Sequence, residues 1–141
     1  GPGMRLDDGR GLINILKSAV LNEDLPIYGD GLSTRTWTYI TDGVVAFMEI
    51  LFSDQKGEAF NVGIEEPEIN SIDLGKLITK ITKSKSKLTL QDAPVEAYEK
   101  NFDVNRRCPD MSKMKKLLNF EAKITLEEGL KRTMNWIKEI I

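Results

Sequence analysis

Apolar residues along this chain recur at two kinds of spacing. Between residues 10 and 22, Leu12, Leu16, Ala19 and Val20 line one face of a helix. Pro26–Tyr28 is a short strand, and Gly29, Asp30 and Gly31 turn it. Positions alternate from Arg35 to Ile40, through Trp37 and Tyr39, which predicts a second strand. Thr41 is placed to cap a helix over 42–53. Ala59–Val62 predicts a strand closed by Gly63. Ser71 is placed to cap a helix over 72–83, with Leu74, Leu77, Ile78 and Ile81 at helical spacing. Lys87–Leu90 predicts another strand, and the polar stretch 91–106 is expected to be irregular. Pro109 suits the first turn of a helix over 109–118, with Met111, Met114 and Leu118 inward. Thr125 and Glu128 form a capping box for a last helix, 126–140.

One helix breaks the amphipathic pattern. Within 42–53, Val44, Val45, Ala46, Phe47, Met48, Ile50, Leu51 and Phe52 leave almost no polar face. A helix apolar all round needs cover on all sides. Either it is the central core helix of a small domain, or one face belongs against a sheet outside this chain. The second reading predicts a large exposed apolar patch and a tendency to dimerise or swap elements.

Composition narrows the classes. At 141 residues the chain is one domain's worth, read here as a single fragment, 1–141. A net charge of −2 leaves no basic excess, so nucleic acid is not an implied partner. No apolar run approaches the roughly 18 residues that span a bilayer, so no membrane is implied. The single cysteine, Cys108, allows no internal disulfide and fits a cytoplasmic setting. With no histidine, Ser-His and Cys-His catalysis are excluded and a metal site of the zinc type is not expected. Gly1-Pro2-Gly3 is loop material; it suits a cloning scar or, the reading preferred here, a chain cut within a domain.

Two constellations carry candidate chemistry. In the first, Tyr28 precedes the glycine turn and Arg35 follows it. A tyrosine ring stacks on a nucleobase and a guanidinium pairs with phosphate oxygens; the same pattern also describes a hairpin with a surface arginine. It is not a dinucleotide motif, because the turn leads into a strand and a third glycine is lacking. In the second, Arg106 and Arg107 precede the proline-started helix, where a helix N-terminus and guanidinium groups suit an anion. The alternative is a solvated pair of charges bridged to Asp103 or Asp110, with Asp110 favouring the helix dipole. The carboxylate pairs Asp7–Asp8 and Glu65–Glu66 read as solvated turns, the basic run Lys80–Lys87 as a solvated helix end, and Cys108 as incidental.

Four segments, taken in order, resemble the extended short-chain dehydrogenases of the NAD-dependent nucleotide-sugar epimerase/dehydratase family. They are GPGMRLDDGR, LPIYGDGLSTRTWTYITDGV, EAFNVG and RRCPDMSKMKKLLNFEAKITLEEGL, which together span nearly the whole chain. The nearest branch is similar to UDP-glucuronate decarboxylases. The resemblance implies an α/β fold: the C-terminal substrate-binding part of a Rossmann-type enzyme, without its dinucleotide-binding half. It implies a nucleotide-diphosphate sugar as ligand, a homodimer, and NAD bound by the other half. It puts Tyr28 against the base, and Arg35 and Arg107 on the diphosphate, with Arg107 also near the sugar carboxylate in the decarboxylase branch. Arg10 and Asn14 match a substrate-side segment less securely. Asn101 stands where some decarboxylases carry tyrosine, and Gly3 where many carry arginine; both bear on decarboxylation in particular. Asn119 replaces a helix-ending glycine, which asparagine can mimic.

No tyrosine in the chain is followed four residues later by lysine, so the family's Tyr-x-x-x-Lys pair is not here and no catalytic residue is expected. The reading is therefore the nucleotide-sugar-binding portion of an epimerase, dehydratase or decarboxylase, inactive alone. Its rivals are a non-catalytic interaction module that retains the fold and a small RNA-binding domain, which the charge pattern disfavours.

Overall fold

The computed structural model describes residues 1–7, 10–92 and 104–141. Helix α1, Gly11–Leu21, ends at Asn22, whose left-handed backbone (φ 58°) releases the chain into strand β1, Leu25–Tyr28. β1 pairs in parallel with β4, Leu88–Gln91, in the register Leu25↔Leu88 to Tyr28↔Gln91. The predicted strand over 87–90 is therefore present, one residue later. Helix α3, Ser71–Thr82, leads into β4, and α5, Leu126–Ile140, packs against α1 and α3. Their apolar faces make one core: Ile13, Leu16 and Ala19 of α1, Leu25 and Ile27 of β1, Leu74 and Ile78 of α3, and Leu126, Leu130, Met134 and Ile137 of α5. Each large side chain buried this way contributes about 1.5–3 kcal/mol.

A second, three-stranded sheet lies beside this core. Its centre is β2, Thr34–Arg35, flanked by antiparallel β3, Ile69–Asn70, and parallel β5, Arg106–Arg107. The predicted strand from Arg35 to Ile40 shrinks to its first residue plus Thr34, because the residues after it find no ladder. Their alternation records packing instead: Trp37 lies against the main core and Tyr39 is buried. Helix α2, Ile40–Leu51, starts at Tyr39 with no side-chain cap, so Thr41 does not play that part. Asp42, in its first turn, is buried and accepts the Ile124 backbone N–H at 2.9 Å.

Other expectations shift for similar reasons. Ala59–Val62 is irregular, since the Ala59 carbonyl accepts Lys113 Nζ at 2.8 Å rather than a strand. Phe60 and Val62 still pack on a second cluster of Ala46, Met111, Met114 and Phe120. Asn70 rather than Ser71 caps α3, its Oδ1 accepting Asp73 N–H at 2.8 Å. Helix α4, Ser112–Leu118, begins three residues after Pro109 and ends at Asn119 (φ 51°), which takes the glycine role as expected. Half of the capping box forms: Thr125 Oγ1 accepts Glu128 N–H at 3.3 Å, but the Glu128 carboxylate turns to Arg132 instead. The stretch 93–103, most of the segment expected to be irregular, lies outside the described residues, as do Asp8 and Asn101.

Helix α2 carries the expected exposed apolar face. Asp42 and Ala46 point inward, while Val44, Val45, Phe47, Met48, Leu51 and Phe52 face solvent, Phe47 at 64% and Phe52 at 79% exposure. Contiguous apolar surface of this kind drives association. The 141-residue chain in solution is expected to self-associate in light scattering and to bind a hydrophobic dye; a dye-silent monomer would contradict this.

Gly31 closes the turn between β1 and β2 at φ +71°, and a Cβ there would lie 2.6 Å from Ile72 Cγ1 and 2.8 Å from Ile27 Cγ2. Gly31→Ala is expected to destabilise by at least about 1–2 kcal/mol from the left-handed backbone alone. The urea midpoint measures it, and an unchanged midpoint would count against the turn's role.

Candidate functional site

The site grows from the ends of β1, β2 and β5. Tyr28 is the last residue of β1, half-buried, and its hydroxyl accepts the Asn14 side-chain amide at 3.0 Å. Gly11, at the start of α1, lies against the ring: a Cβ there would sit in ordinary contact, 3.6 Å from Tyr28 Cδ2. Arg10 is the N-cap residue of the same helix, and its carbonyl accepts Asn14 N–H at 3.2 Å. Beyond Tyr28, Asp30 Oδ1 accepts Leu32 N–H at 2.9 Å, an Asx turn between two glycines of positive φ.

The turn delivers Arg35 onto β2 beside Arg107 on β5. Although 72 positions separate them in sequence, the two are register partners in a parallel pair. Register partners share a face of the sheet, and neighbouring strands lie about 4.8 Å apart, so both guanidinium stems leave from one spot. Arg35 is half-buried and donates to the Thr34 carbonyl at 2.7 Å. Arg107 is exposed, and among the described residues its side chain makes no hydrogen bond or ion pair.

Arg106 behaves differently. It forks onto Glu68, with Nη2 at 2.7 Å from Oε2 and Nε at 2.9 and 3.1 Å from the two oxygens. Thr34 Oγ1 donates to the same carboxylate. The arginine bond first, then the threonine bond, hold Glu68 below the usual carboxylate range, and Glu68 pushes Arg106 up. Of the two expected partners, Asp110 does not hold Arg106, since it accepts Ser112 N–H at 2.8 Å at the start of α4; Asp103 lies outside the described residues.

That helix start is not an open anion site. Met111 N–H donates to Glu65 Oε1 at 3.0 Å, and Ser112 N–H to Asp110, so two carboxylates already occupy it. Glu65 was expected in a solvated turn; it also takes an ion pair from Lys115, and its carbonyl accepts the Cys108 thiol at 3.4 Å. Sequence reasoning missed Glu68 and Thr34. The only signal was an acid ahead of Ile69 and a hydroxyl ahead of Arg35, neither distinctive without the pairing.

This architecture is part of a Rossmann-type short-chain dehydrogenase fold. A UDP-glucose 4-epimerase from Thermotoga maritima, solved with UDP-glucose, superposes with a TM-score of 0.86 at 26% identity, covering 99% of this chain and 43% of that one. A UDP-glucuronic acid 4-epimerase from Bacillus cereus, solved with UDP-glucuronic acid and NAD, superposes at 0.84 and 24% identity, covering 100% and 43%. The chain belongs to the GDP-mannose 4,6 dehydratase family, whose model matches residues 10–133. Among curated relatives it is similar to a UDP-N-acetyl-alpha-D-glucosaminuronate decarboxylase of Bacillus cytotoxicus, 34% identical over 98% of this chain and 44% of the relative. A UDP-glucuronic acid decarboxylase of Arabidopsis thaliana is 33% identical over 96% and 29%. The chain spans less than half the length of each of these proteins.

Lys115 first, and then the Met111 N–H, hold the Glu65 carboxyl below its ordinary value. A carboxylate with a depressed folded-state pKa stabilises above its unfolded pKa and loses that contribution as pH falls through the folded value. The gap in melting temperature between wild type and Glu65→Gln is therefore expected to be widest near neutrality and to close below about pH 4. A gap that widens on acidification would contradict the sign.

Proposed function

We propose that this chain forms the nucleotide-sugar-binding portion of an NAD-dependent epimerase, dehydratase or decarboxylase. The observation that carries the reading is the register pairing of Arg35 with Arg107. Two guanidinium groups leaving one face of a sheet suit the adjacent phosphates of a nucleoside diphosphate, each with forked donors. Tyr28, held by Asn14 at the end of β1, supplies an aromatic face for the base. Arg10, one helical turn before Asn14, lies on the same side of α1 and completes a substrate-facing edge. Relatives named as UDP-glucuronic acid decarboxylases and a neighbour holding UDP-glucose support the ligand class.

The hydride chemistry does not fall to this chain. NAD, when bound, supplies reversible hydride transfer. The residues here do not fit it, since Gly29-Asp30-Gly31 opens onto a strand and not a helix N-terminus. No Tyr-x-x-x-Lys pair is present either. The work of these residues is to bind and orient the nucleotide while the sugar reaches a cofactor held elsewhere in the fold. The exposed apolar face of α2 supports such a neighbouring portion, because it suits a sheet packed against it. In the whole protein this reading is of a cytoplasmic homodimer. A non-catalytic module would use the same α2 face; a Gly-x-x-Gly-x-x-Gly and a Tyr-x-x-x-Lys in the upstream coding sequence favour the enzyme, and their absence the module.

Each charge-assisted contact to phosphate is worth about 1.5–3 kcal/mol in general. Arg107→Ala in the intact enzyme is therefore expected to weaken UDP or UDP-sugar binding by about ten- to a hundredfold. Tyr28→Ala is expected to weaken UDP binding less and to leave pyrophosphate binding unchanged. Calorimetric titration reads both, and an Arg107→Ala enzyme with wild-type affinity would refute the clamp. The 141-residue chain alone is expected to show no tight NAD binding and no turnover of any UDP-sugar; turnover by it would refute the division of labour.

A further inference from the structure

The three-stranded sheet is very short, two residues in each strand, yet it sets Arg35 and Arg107 at paired positions. Strand alternation separates its residues by face. Thr34, Asn70 and Arg106 lie on one face, and Arg35, Ile69 and Arg107 on the other. Glu68, two residues before Asn70, belongs with the first group. Its carboxylate joins that face together, accepting two N–H donors of Arg106 and the hydroxyl of Thr34. Each tied residue immediately precedes one of the clamp arginines.

We infer that Glu68 is a positioning residue for the anion clamp. It buckles β2 to β5 on one face of the sheet, and so fixes the spacing of Arg35 and Arg107 on the other. The inference rests on the reading of Arg35 and Arg107 as a diphosphate site. Glu68 touches no ligand itself. Its carboxylate also neutralises Arg106, which leaves Arg107 as the exposed cation for the phosphate.

The bonds have the geometry that makes such a device directional. A carboxylate that accepts two donors from one guanidinium is locked in plane as well as in distance. The backbone pairing of Thr34 with Arg106 and Arg35 with Arg107 is flanked by Thr34 N–H to Asn105 O at 2.8 Å and Thr36 N–H to Arg107 O at 3.2 Å. Losing the buckle leaves the register of these two-residue strands to that backbone pairing.

The test is calorimetric titration of the intact protein with UDP and with inorganic pyrophosphate. The variants are Glu68→Ala, Glu68→Gln, Arg107→Ala, the double variant Glu68→Ala/Arg107→Ala, and the charge exchange Glu68→Arg/Arg106→Glu. Glu58→Gln, which removes the partner of Lys113 in an ion pair elsewhere, is the control. Glu68→Ala is expected to weaken UDP and pyrophosphate by the same factor, about three- to tenfold. Added to Arg107→Ala it should cost little more, because both act on one site. The charge exchange should restore most of the loss, and Glu58→Gln should change nothing. A purely structural role predicts otherwise: a lowered melting temperature, additive losses, and no selective effect on phosphate binding. If Glu68→Ala fails to fold, Glu68→Gln carries the comparison. Wild-type affinity in a folded Glu68 variant, with Arg107→Ala still impaired, would overturn this inference and leave the clamp standing. No loss in Arg107→Ala, or no binding of either probe by wild type, would overturn the clamp and the buckle together.

Discussion

Backbone hydrogen bonds, among them Thr34 N–H to Asn105 O and Thr36 N–H to Arg107 O, join the early part of this chain to its late part across the sheet. They make β5 the parallel neighbour of β2, and every statement about the site follows from that register. A slip of one residue would send Arg107 to the opposite face and bring Arg106 alongside Arg35. Such a slip is opposed on both sides of β2. Antiparallel pairing to β3 fixes one edge, and the fork of Arg106 on Glu68 fixes the other. An exposed ion pair contributes little to global stability; its importance here is local, where two-residue strands have few other bonds to resist sliding.

The main core does the heavier energetic work and sits on the other side of the glycine turn. α1, β1, α3 and α5 bury their apolar faces on one another, which makes the end of β1 a rigid place to present Tyr28. Asn14 couples that ring to α1 directly. The turn at Gly31 then carries the chain to β2, and Ile72 N–H donates to the Gly31 carbonyl at 3.3 Å, so the start of α3 holds the turn. Rigid core, pinned turn and registered sheet form one continuous path from the tyrosine to the arginine pair. α2 lies off this path, tied down through Asp42 and Ala46, and its outward face has no apolar cover among the described residues.

Much of this was legible in the sequence, and the failures share a cause. Helices with a one-sided apolar stripe came out within a residue or two, as α1, α3 and α5 show. The anomaly of 42–53 was also legible, because a helix without a polar face must meet something on every side. Strands failed where alternation reflected burial and not pairing: Trp37 and Tyr39 alternate because they pack, and Phe60 and Val62 because they cover the second cluster. Caps failed where a better-placed acceptor stood next door, as Asn70 does beside Ser71. Tyr28 and Arg35 stood out by their place around a glycine turn, whereas Glu68 and Thr34 matter only through a register that no local pattern encodes.

Arg106 and Arg107 make the same point at the scale of one bond. As a dipeptide they are two equivalent cations ahead of a proline. The pleat sends them to opposite faces, and each face gives its arginine a different environment. Arg106 meets a carboxylate that is itself anchored by Thr34, and its charge is paired within the chain. Arg107 is the register partner of Arg35, and among the described residues its own side chain makes no hydrogen bond or ion pair. That asymmetry between the two faces, and not the number of arginines, is what the proposed anion site rests on.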